Sequence, residues 1–70
     1  MPPVVEALLL PENRRVRVEL AKGTVRELLH RLGLSVEDAV VLNSEGKPLL
    51  DDEVLRDGER VRVLRAASGG

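Results

Sequence analysis

The sequence predicts an α+β fold in which one helix covers one face of a mixed sheet of four to five strands. Three observations support this fold class: two alternating apolar and polar segments near the amino terminus, a capped helical pattern after them, and further short strand patterns. The 70 residues are 43% hydrophobic and include no cysteine, so one compact core must form without disulfides. A lone helix and a sheet each need a partner for their apolar faces, so we expect them to pack together.

The first two strands form a predicted hairpin. In the segment Val4–Leu10, alternation places Val5, Ala7 and Leu9 on the inner face. Residues 11–14 contain Pro11 and Asn13, which are typical of turns. The next segment alternates again, and its inner residues are Val16, Val18 and Leu20.

A helix of about nine residues is predicted after the break at residues 22–23. Thr24 is followed three residues later by Glu27, the spacing of a capping box. The apolar side chains recur at helical spacing, at Val25, Leu28, Leu29 and Leu32. Gly33 then has the position of a left-handed helix stop. A helix here also provides the crossover that lets a later strand lie parallel to the first.

The remaining chain predicts three short strands. Residues 39–42 form a strand, residues 43–46 a turn, and residues 47–50 a strand back. Residues 51–55 are an acidic connection, compatible with one helical turn and with either Val54 or Leu55 turned inward. The last strand alternates Val61 and Val63 with polar neighbours and leads directly into the carboxyl-terminal residues.

Composition disfavours several classes of partner. The net charge is −1 and there is no Phe, Tyr or Trp, so neither a basic surface nor a stacking platform indicates direct nucleic-acid binding. No apolar run approaches the ~18 residues of a membrane span. The first residues lack a basic start and a long apolar stretch, so no signal peptide is expected and a cytoplasmic location is predicted.

The sequence ends in Ser68-Gly69-Gly70, preceded by two alanines. We expect a β-rich domain over residues 1–64 and a flexible tail over residues 65–70. Since glycine has no Cβ, such a tail can lie in a narrow channel and bring the Gly70 carboxylate close to another protein's backbone. The alternative is an ordinary frayed polar terminus, and the glycines alone do not distinguish the two.

Together these features resemble the β-grasp family of ubiquitin-like proteins over essentially the whole chain. The resemblance is carried by the hairpin followed by a capped helix, by residues 46–49 (Gly-Lys-Pro-Leu), by residues 55–61 (Leu-Arg-Asp-Gly-Glu-Arg-Val), and by Gly69-Gly70. The last two features are fairly specific to the sulfur carriers, which include the thiamine sulfur carrier, the small subunit of molybdopterin synthase, and the tRNA-thiolation carriers and small modifiers of archaea and thermophilic bacteria. The Ala-Ser-Gly-Gly ending is most similar to the last group.

The resemblance implies a chemistry in which Gly70 is the reacting residue and Gly69 provides steric access. An enzyme similar to the ubiquitin-activating enzymes would adenylate the Gly70 carboxylate with ATP and Mg²⁺, while this chain would bind no cofactor itself. The acyl-adenylate would then become a thiocarboxylate for tRNA thiolation or cofactor biosynthesis, or pass through a thioester to a protein lysine. The implied partners are therefore the activating enzyme, sulfur donor and acceptor enzymes, and possible target lysines.

A docking surface is expected on the sheet face that points away from the helix. The apolar residues assigned to this face are Leu8, Leu10, Val41 and Leu64, and Arg65 at the root of the tail is included with them. Scattered exposed aliphatic residues need no explanation, but a contiguous patch beside the tail favours partner docking. Proteins of the resembled family use their exposed sheet face in this way.

Other candidate sites are weaker. His30 lies off the apolar stripe of the helix and is interpreted as a solvated residue. Residues 51–53 (Asp-Asp-Glu) do not have calcium-loop spacing and suggest an acidic surface. No nucleophile and base pair is indicated, so the chain is predicted to bind no metal and not to be an enzyme. The alternative function is a β-grasp interaction domain whose terminal glycines are incidental.

Overall fold

The computed structural model describes residues 1–65, in which five strands form one mixed sheet and a helix covers one of its faces. The elements are β1 (Val4–Leu10), β2 (Arg14–Glu19), α1 (Val25–Arg31), β3 (Ala39–Leu42), β4 (Pro48–Leu49) and β5 (Arg60–Arg65). This confirms the predicted α+β fold class. β5 extends to Arg65, one residue beyond the predicted end of the domain at residue 64.

The strand order in the sheet is β2-β1-β5-β3-β4. β1 and β5 are parallel neighbours at the centre, and the other three pairings are antiparallel. The first and last strands of the sequence are thus adjacent, as the predicted crossover through the helix requires. The carboxyl end of β5 consequently lies beside the carboxyl end of β1 and the beginning of β3.

The start of α1 is stabilised by side-chain and backbone acceptors. The Thr24 hydroxyl accepts a hydrogen bond from the Glu27 amide at 3.1 Å, which confirms the predicted cap. The Glu27 carboxylate in turn accepts from the amides of Ala21, Lys22 and Gly23, at 2.5, 2.7 and 2.9 Å. The loop before the helix is therefore fixed by a residue in its first turn.

The helix ends earlier than the apolar stripe suggested. It has seven residues, and Leu32 is the C-cap rather than part of the last turn. Gly33 has φ +76°, so the predicted left-handed stop is confirmed. The amides of Gly33 and Leu34 donate to the carbonyls of His30 and Leu29 at 3.0 and 2.8 Å, the bond pattern of a Schellman motif.

The acidic connection between β4 and β5 contains no helix and packs against the start of α1. The amides of Val25 and Arg26 donate to the carbonyls of Glu53 and Asp51, at 3.0 and 2.9 Å. Two of the helix's otherwise unpaired amides are thereby satisfied. The Arg26 guanidinium also pairs with the Asp51 carboxylate and, through this hydrogen bond, lowers the pKa of Asp51 below its usual value. Of the two open alternatives, Leu55 is the buried residue, and Val54 is 69% exposed.

The hydrophobic core lies between α1 and the inner face of the sheet. Its buried residues are Val5, Ala7, Val18, Leu20, Val25, Leu28, Leu29, Ala39, Val41, Leu55, Val61 and Val63. Among the predicted inner residues of the hairpin, Leu9 and Val16 are only partly buried and pack against this core. Within residues 1–65 the core contains no buried polar side chain.

Candidate functional site: the outer sheet face

The face of the sheet opposite α1, here called the outer face, carries an apolar row next to the end of β5. Leu64 on β5 lies between Leu10 on β1 and Val40 on β3 in the strand register. Leu64 is 38% exposed and Val40 is 49% exposed, while Leu10 is half-buried. Because side chains that share a face recur at every second residue, these three residues form one continuous patch.

The next row of the outer face mixes apolar and basic side chains. Leu8 on β1 has Arg15 on one side and Arg62 on the other. Beyond Arg62, Leu42 on β3 continues the row and pairs with Pro48 on β4. The outer face therefore presents leucines flanked by arginines, a combination suited to an apolar partner surface with acidic groups around it.

A third row is predominantly polar. Glu6 lies between Arg17 and Arg60, and its carboxylate is 3.8 Å from the Arg60 guanidinium. The Arg60 side chain is 79% exposed, so this ion pair contributes little to stability. Four arginines thus surround Leu8 and Glu6 on two adjacent rows, and the outer face is more basic than the net charge of −1 indicates.

The structure corrects the predicted membership of this face at one of its apolar positions. Val41, predicted to point outward, is 2% exposed and pairs with Val63 and Leu49 on the inner side. The inner residues of β3 are Ala39 and Val41, so Val40 and Leu42 occupy the outer positions. The prediction for Val41 was wrong by one residue, whereas Leu8, Leu10 and Leu64 do lie on the outer face.

Sequence reasoning also overlooked the arginines of the outer face. The alternating segments Arg-Arg-Val-Arg-Val-Glu and Arg-Val-Arg-Val-Leu-Arg contain the signal, since they place the arginines at outward positions on two strands. The sequence predicted the hairpin of β1 and β2 and a later strand parallel to β1, but it did not identify that strand as β5, so the arginines of β2 and β5 were not placed on either side of β1.

Arg65 is the last described residue and marks the root of the tail. It pairs in register with Ala39, and its guanidinium donates to the Glu12 carboxylate at 2.8 Å across the end of the sheet. Because Arg65 has the same parity in β5 as the inner residues Val61 and Val63, its side chain does not lie on the outer face, and the structure does not bring this predicted docking residue into the apolar row. Gly70, the predicted reacting residue, and Gly69, predicted to provide steric access, lie outside the described residues.

The weaker candidate sites, His30 and residues 51–53, lie within the described residues 1–65. His30 is exposed, as predicted, and no group of three or more His, Asp or Glu side chains is placed to hold a metal ion in this part of the chain. No helix in the same range has the length and apolar character needed to cross a membrane.

Comparison with known proteins identifies the family. No family model matches the sequence. However, the sulfur carrier protein TtuB of Thermus thermophilus is 41% identical over 63 residues, which cover 90% of this chain and 94% of the relative. The chain belongs to the ubiquitin-like sulfur carriers. The family that the sequence resembled is thus confirmed.

Solved structures agree with the fold of this sulfur carrier. The ubiquitin of Caldiarchaeum subterraneum matches with a TM-score of 0.77, covering all of both chains at 16% identity. A computationally designed protein based on human erythrocytic ubiquitin matches with a TM-score of 0.68 at 25% identity, covering all of this chain and 98% of the other. At such low identity the archaeal match shows the fold, and the ubiquitin-like β-grasp architecture is thereby confirmed.

Proposed function

We propose that this carrier transports sulfur as a thiocarboxylate formed on the carboxyl group of Gly70. The main support is the 41% identity with the sulfur carrier TtuB over 90% of the chain. A second support is the Gly69-Gly70 sequence, which follows a strand that ends at the rim of the sheet. In this function the chain provides the acyl group and its partners provide the catalytic groups, so the chain itself is a carrier and not an enzyme.

The proposed chemistry needs activation first, because an ionised carboxylate is a poor electrophile. An adenylating enzyme would supply ATP and Mg²⁺. A carboxylate oxygen of Gly70 attacks the α-phosphate, and pyrophosphate leaves. Hydrosulfide then attacks the acyl carbon, and the C–S bond forms as the bond to the AMP oxygen breaks. The absence of cysteine is compatible with this scheme, since the sulfur is carried on the main chain.

The partner enzymes, rather than this chain, determine which molecule accepts the sulfur. Transfer to tRNA is the proposed route, with cofactor biosynthesis as the alternative acceptor class. The same acyl-adenylate could instead pass through a thioester to the amine of a protein lysine, which would make the chain a protein modifier as well.

We further propose that the outer face docks the activating enzyme and so aligns the tail with its active site. Leu8, Leu10 and Leu64 would provide the apolar contact, together with Val40 and Leu42 from β3. β5 carries Leu64 and leads into the tail. Docking through Leu64 would therefore fix, relative to the enzyme's active site, the position from which the residues after Arg65 extend.

Mass spectrometry and an activation assay test the carrier function. We expect the protein isolated with its activating and sulfur-donor enzymes to gain the mass difference between sulfur and oxygen at its carboxyl terminus. Deletion of Gly70 should abolish ATP-dependent adenylation, measured by pyrophosphate exchange, and Gly69→Ala should impair it. Ser68→Ala is the matched control, because it keeps both glycines and should retain activity. If the protein lacking Gly70 is still adenylated, the carrier function is wrong.

A further inference from the structure

The arginines of the outer face constrain what can dock there. Leu8, one of the proposed contact residues, lies between Arg15 on β2 and Arg62 on β5 in the strand register. Both arginines are exposed, and within residues 1–65 no ion pair engages either of them. A partner that covers Leu8 must therefore also cover two cations that have no counter-charge in the described part of the chain.

Burying such a cation is costly unless the partner neutralises it. An arginine that loses its water without gaining an acceptor weakens a contact, whereas a carboxylate can accept two parallel hydrogen bonds from the guanidinium group. The strands on either side of β1 are roughly 10 Å apart, twice the spacing of adjacent strands. One carboxylate beside each arginine therefore leaves the space over Leu8 free for an apolar side chain of the partner.

Glu6 gives the neighbouring row of the outer face a different character. It lies between Arg17 and Arg60, with its carboxylate 3.8 Å from the Arg60 guanidinium, and so offsets part of their charge. A partner carboxylate over this row would be repelled by Glu6, whereas the row of Leu8 has no acidic residue in its register. Since specificity often depends on such a repulsive group, Glu6 is placed to determine which row receives the partner's acidic groups.

The shape and composition of this surface favour a protein over other anionic ligands. The hollow bordered by Leu8, Glu6 and three of the arginines has a volume of about 170 Å³, below the roughly 300–1,000 Å³ of small-molecule pockets. A nucleic-acid backbone would place phosphates over both rows, where Glu6 opposes them, and the sequence has no Phe, Tyr or Trp for base stacking. An apolar protein surface with carboxylates at fixed positions meets neither obstacle.

We propose that the activating enzyme docks through an acidic surface whose carboxylates pair with Arg15 and Arg62 on either side of Leu8, and that Glu6 keeps those carboxylates off the adjacent row. This inference rests on the proposed docking of the activating enzyme and adds the chemistry of the enzyme's surface. Opposite charges of this kind accelerate the encounter of two proteins and fix their relative orientation. The arginines thus select the partner, and the leucines provide the apolar contact.

Stopped-flow association with the activating enzyme tests this proposal. Arg15→Gln and Arg62→Gln should each lower the association rate constant at low salt by roughly threefold or more, because they remove charge from the contact. The difference from wild type should shrink in 1 M salt, where the screening length is about 3 Å. Glu6→Gln should associate faster than wild type. Arg14→Gln is the matched control: Arg14 is exposed and adjacent to Arg15 on β2, but it has the parity of the inner residues, so this variant should associate like wild type.

Several results would overturn the proposal. Equal rates for Arg15→Gln, Arg62→Gln and Arg14→Gln would exclude the two outer arginines from the contact, and slower association of Glu6→Gln would remove its repulsive role. If the arginine variants instead lose binding to a tRNA pool while their association with the enzyme is unchanged, the surface contacts RNA. Pyrophosphate exchange with wild type separates these failures from that of the proposed function. Adenylation combined with salt-independent association refutes only the acidic surface, whereas an absence of adenylation refutes the carrier function and this inference with it.

Discussion

Glu27 shows how a single side chain can organise the loop around it. Its carboxylate accepts hydrogen bonds from three consecutive amides, and the bond from Ala21 is the main cause that lowers its pKa from 4.5 to about 2. The amides of Lys22 and Gly23 and the Arg31 side chain act in the same direction, while desolvation opposes them. The charged form is therefore strongly preferred in the folded protein.

This shift predicts a specific loss of stability in acid. A carboxylate whose pKa is lowered by folding stabilises the protein fully above its unfolded pKa near 4.5, and this contribution is lost as the pH falls towards about 2. Wild type should therefore have a higher Tm than Glu27→Gln at neutral pH, and the two melting curves should converge near pH 2. Thermal melts across this pH range check the prediction. Glu45→Gln is the control and should follow wild type throughout, and parallel curves for wild type and Glu27→Gln would contradict the assigned role.

The sequence predicted part of this arrangement. The spacing of Thr24 and Glu27 was sufficient to place the helix start, because a capping box is local in sequence. The three amide bonds to Glu27 were not predictable from spacing, since they require residues 21–23 to fold back over the first turn. Gly23 permits this arrangement because it adopts a φ of +81°. A Cβ at this position would also lie only 3.3 Å from the Leu55 carbonyl oxygen.

At the level of elements, α1 depends on its packing rather than on its own helical propensity. Seven residues are too few for a stable isolated helix, which needs roughly 12–15 even in favourable sequences. The buried residues Val25, Leu28 and Leu29 attach it to the sheet, and His30 and Arg31 face solvent. Neighbouring residues of one short helix should therefore differ greatly in their contribution to stability.

Leu29 and His30 provide a direct test of the helical face. Leu29 is 2% exposed, so Leu29→Ala should lower the free energy of unfolding by ~2–5 kcal/mol, out of the ~5–15 kcal/mol typical of a domain. His30→Ala, one position along, should change it by less than about 0.5 kcal/mol. Urea unfolding of both variants measures the difference. Equal losses would mean that the face of α1 is assigned incorrectly.

The strands differ in how well their orientation could be predicted. β5 alternates arginine and valine, and its inner and outer residues were assigned correctly because polarity marks each face. β3 reads Ala-Val-Val-Leu, which has no polar residue to distinguish the faces. Its orientation is set by register with β5, where Val41 pairs with Val63. For that reason Val41 was misplaced, while Leu64 was placed correctly.

At the level of the whole molecule, the outer face of the sheet collects basic side chains from distant parts of the sequence. Four arginines, Arg15, Arg17, Arg60 and Arg62, lie on the outer face because β2 and β5 both pair with β1. The order of elements predicted the overall architecture, because a hairpin followed by one helix leaves few ways to bury both apolar faces. This basic face was not predicted, since it requires β2 and β5, which are distant in sequence, to lie on either side of β1.

The outer face leads to a prediction about the activating enzyme. Leu64 lies centrally in the apolar row, between Leu10 and Val40, and one residue before the end of β5. Leu64→Asp places a charge where the proposed contact excludes water, and an unpaired charge is costly to desolvate. We expect the Kd for the enzyme to rise by roughly tenfold or more, a loss of at least about 1.4 kcal/mol.

The same variant should leave folding nearly intact, because Leu64 is 38% exposed and points away from the core. Calorimetric titration against the enzyme, together with thermal melts, measures both effects. Val54→Asp is the matched control, since it introduces the same charge at an exposed residue away from the outer face and should bind like wild type. Unchanged affinity of Leu64→Asp would exclude Leu64 from the contact. A large fall in Tm would instead show that its side chain supports the core, in which case the affinity loss would reflect unfolding rather than docking.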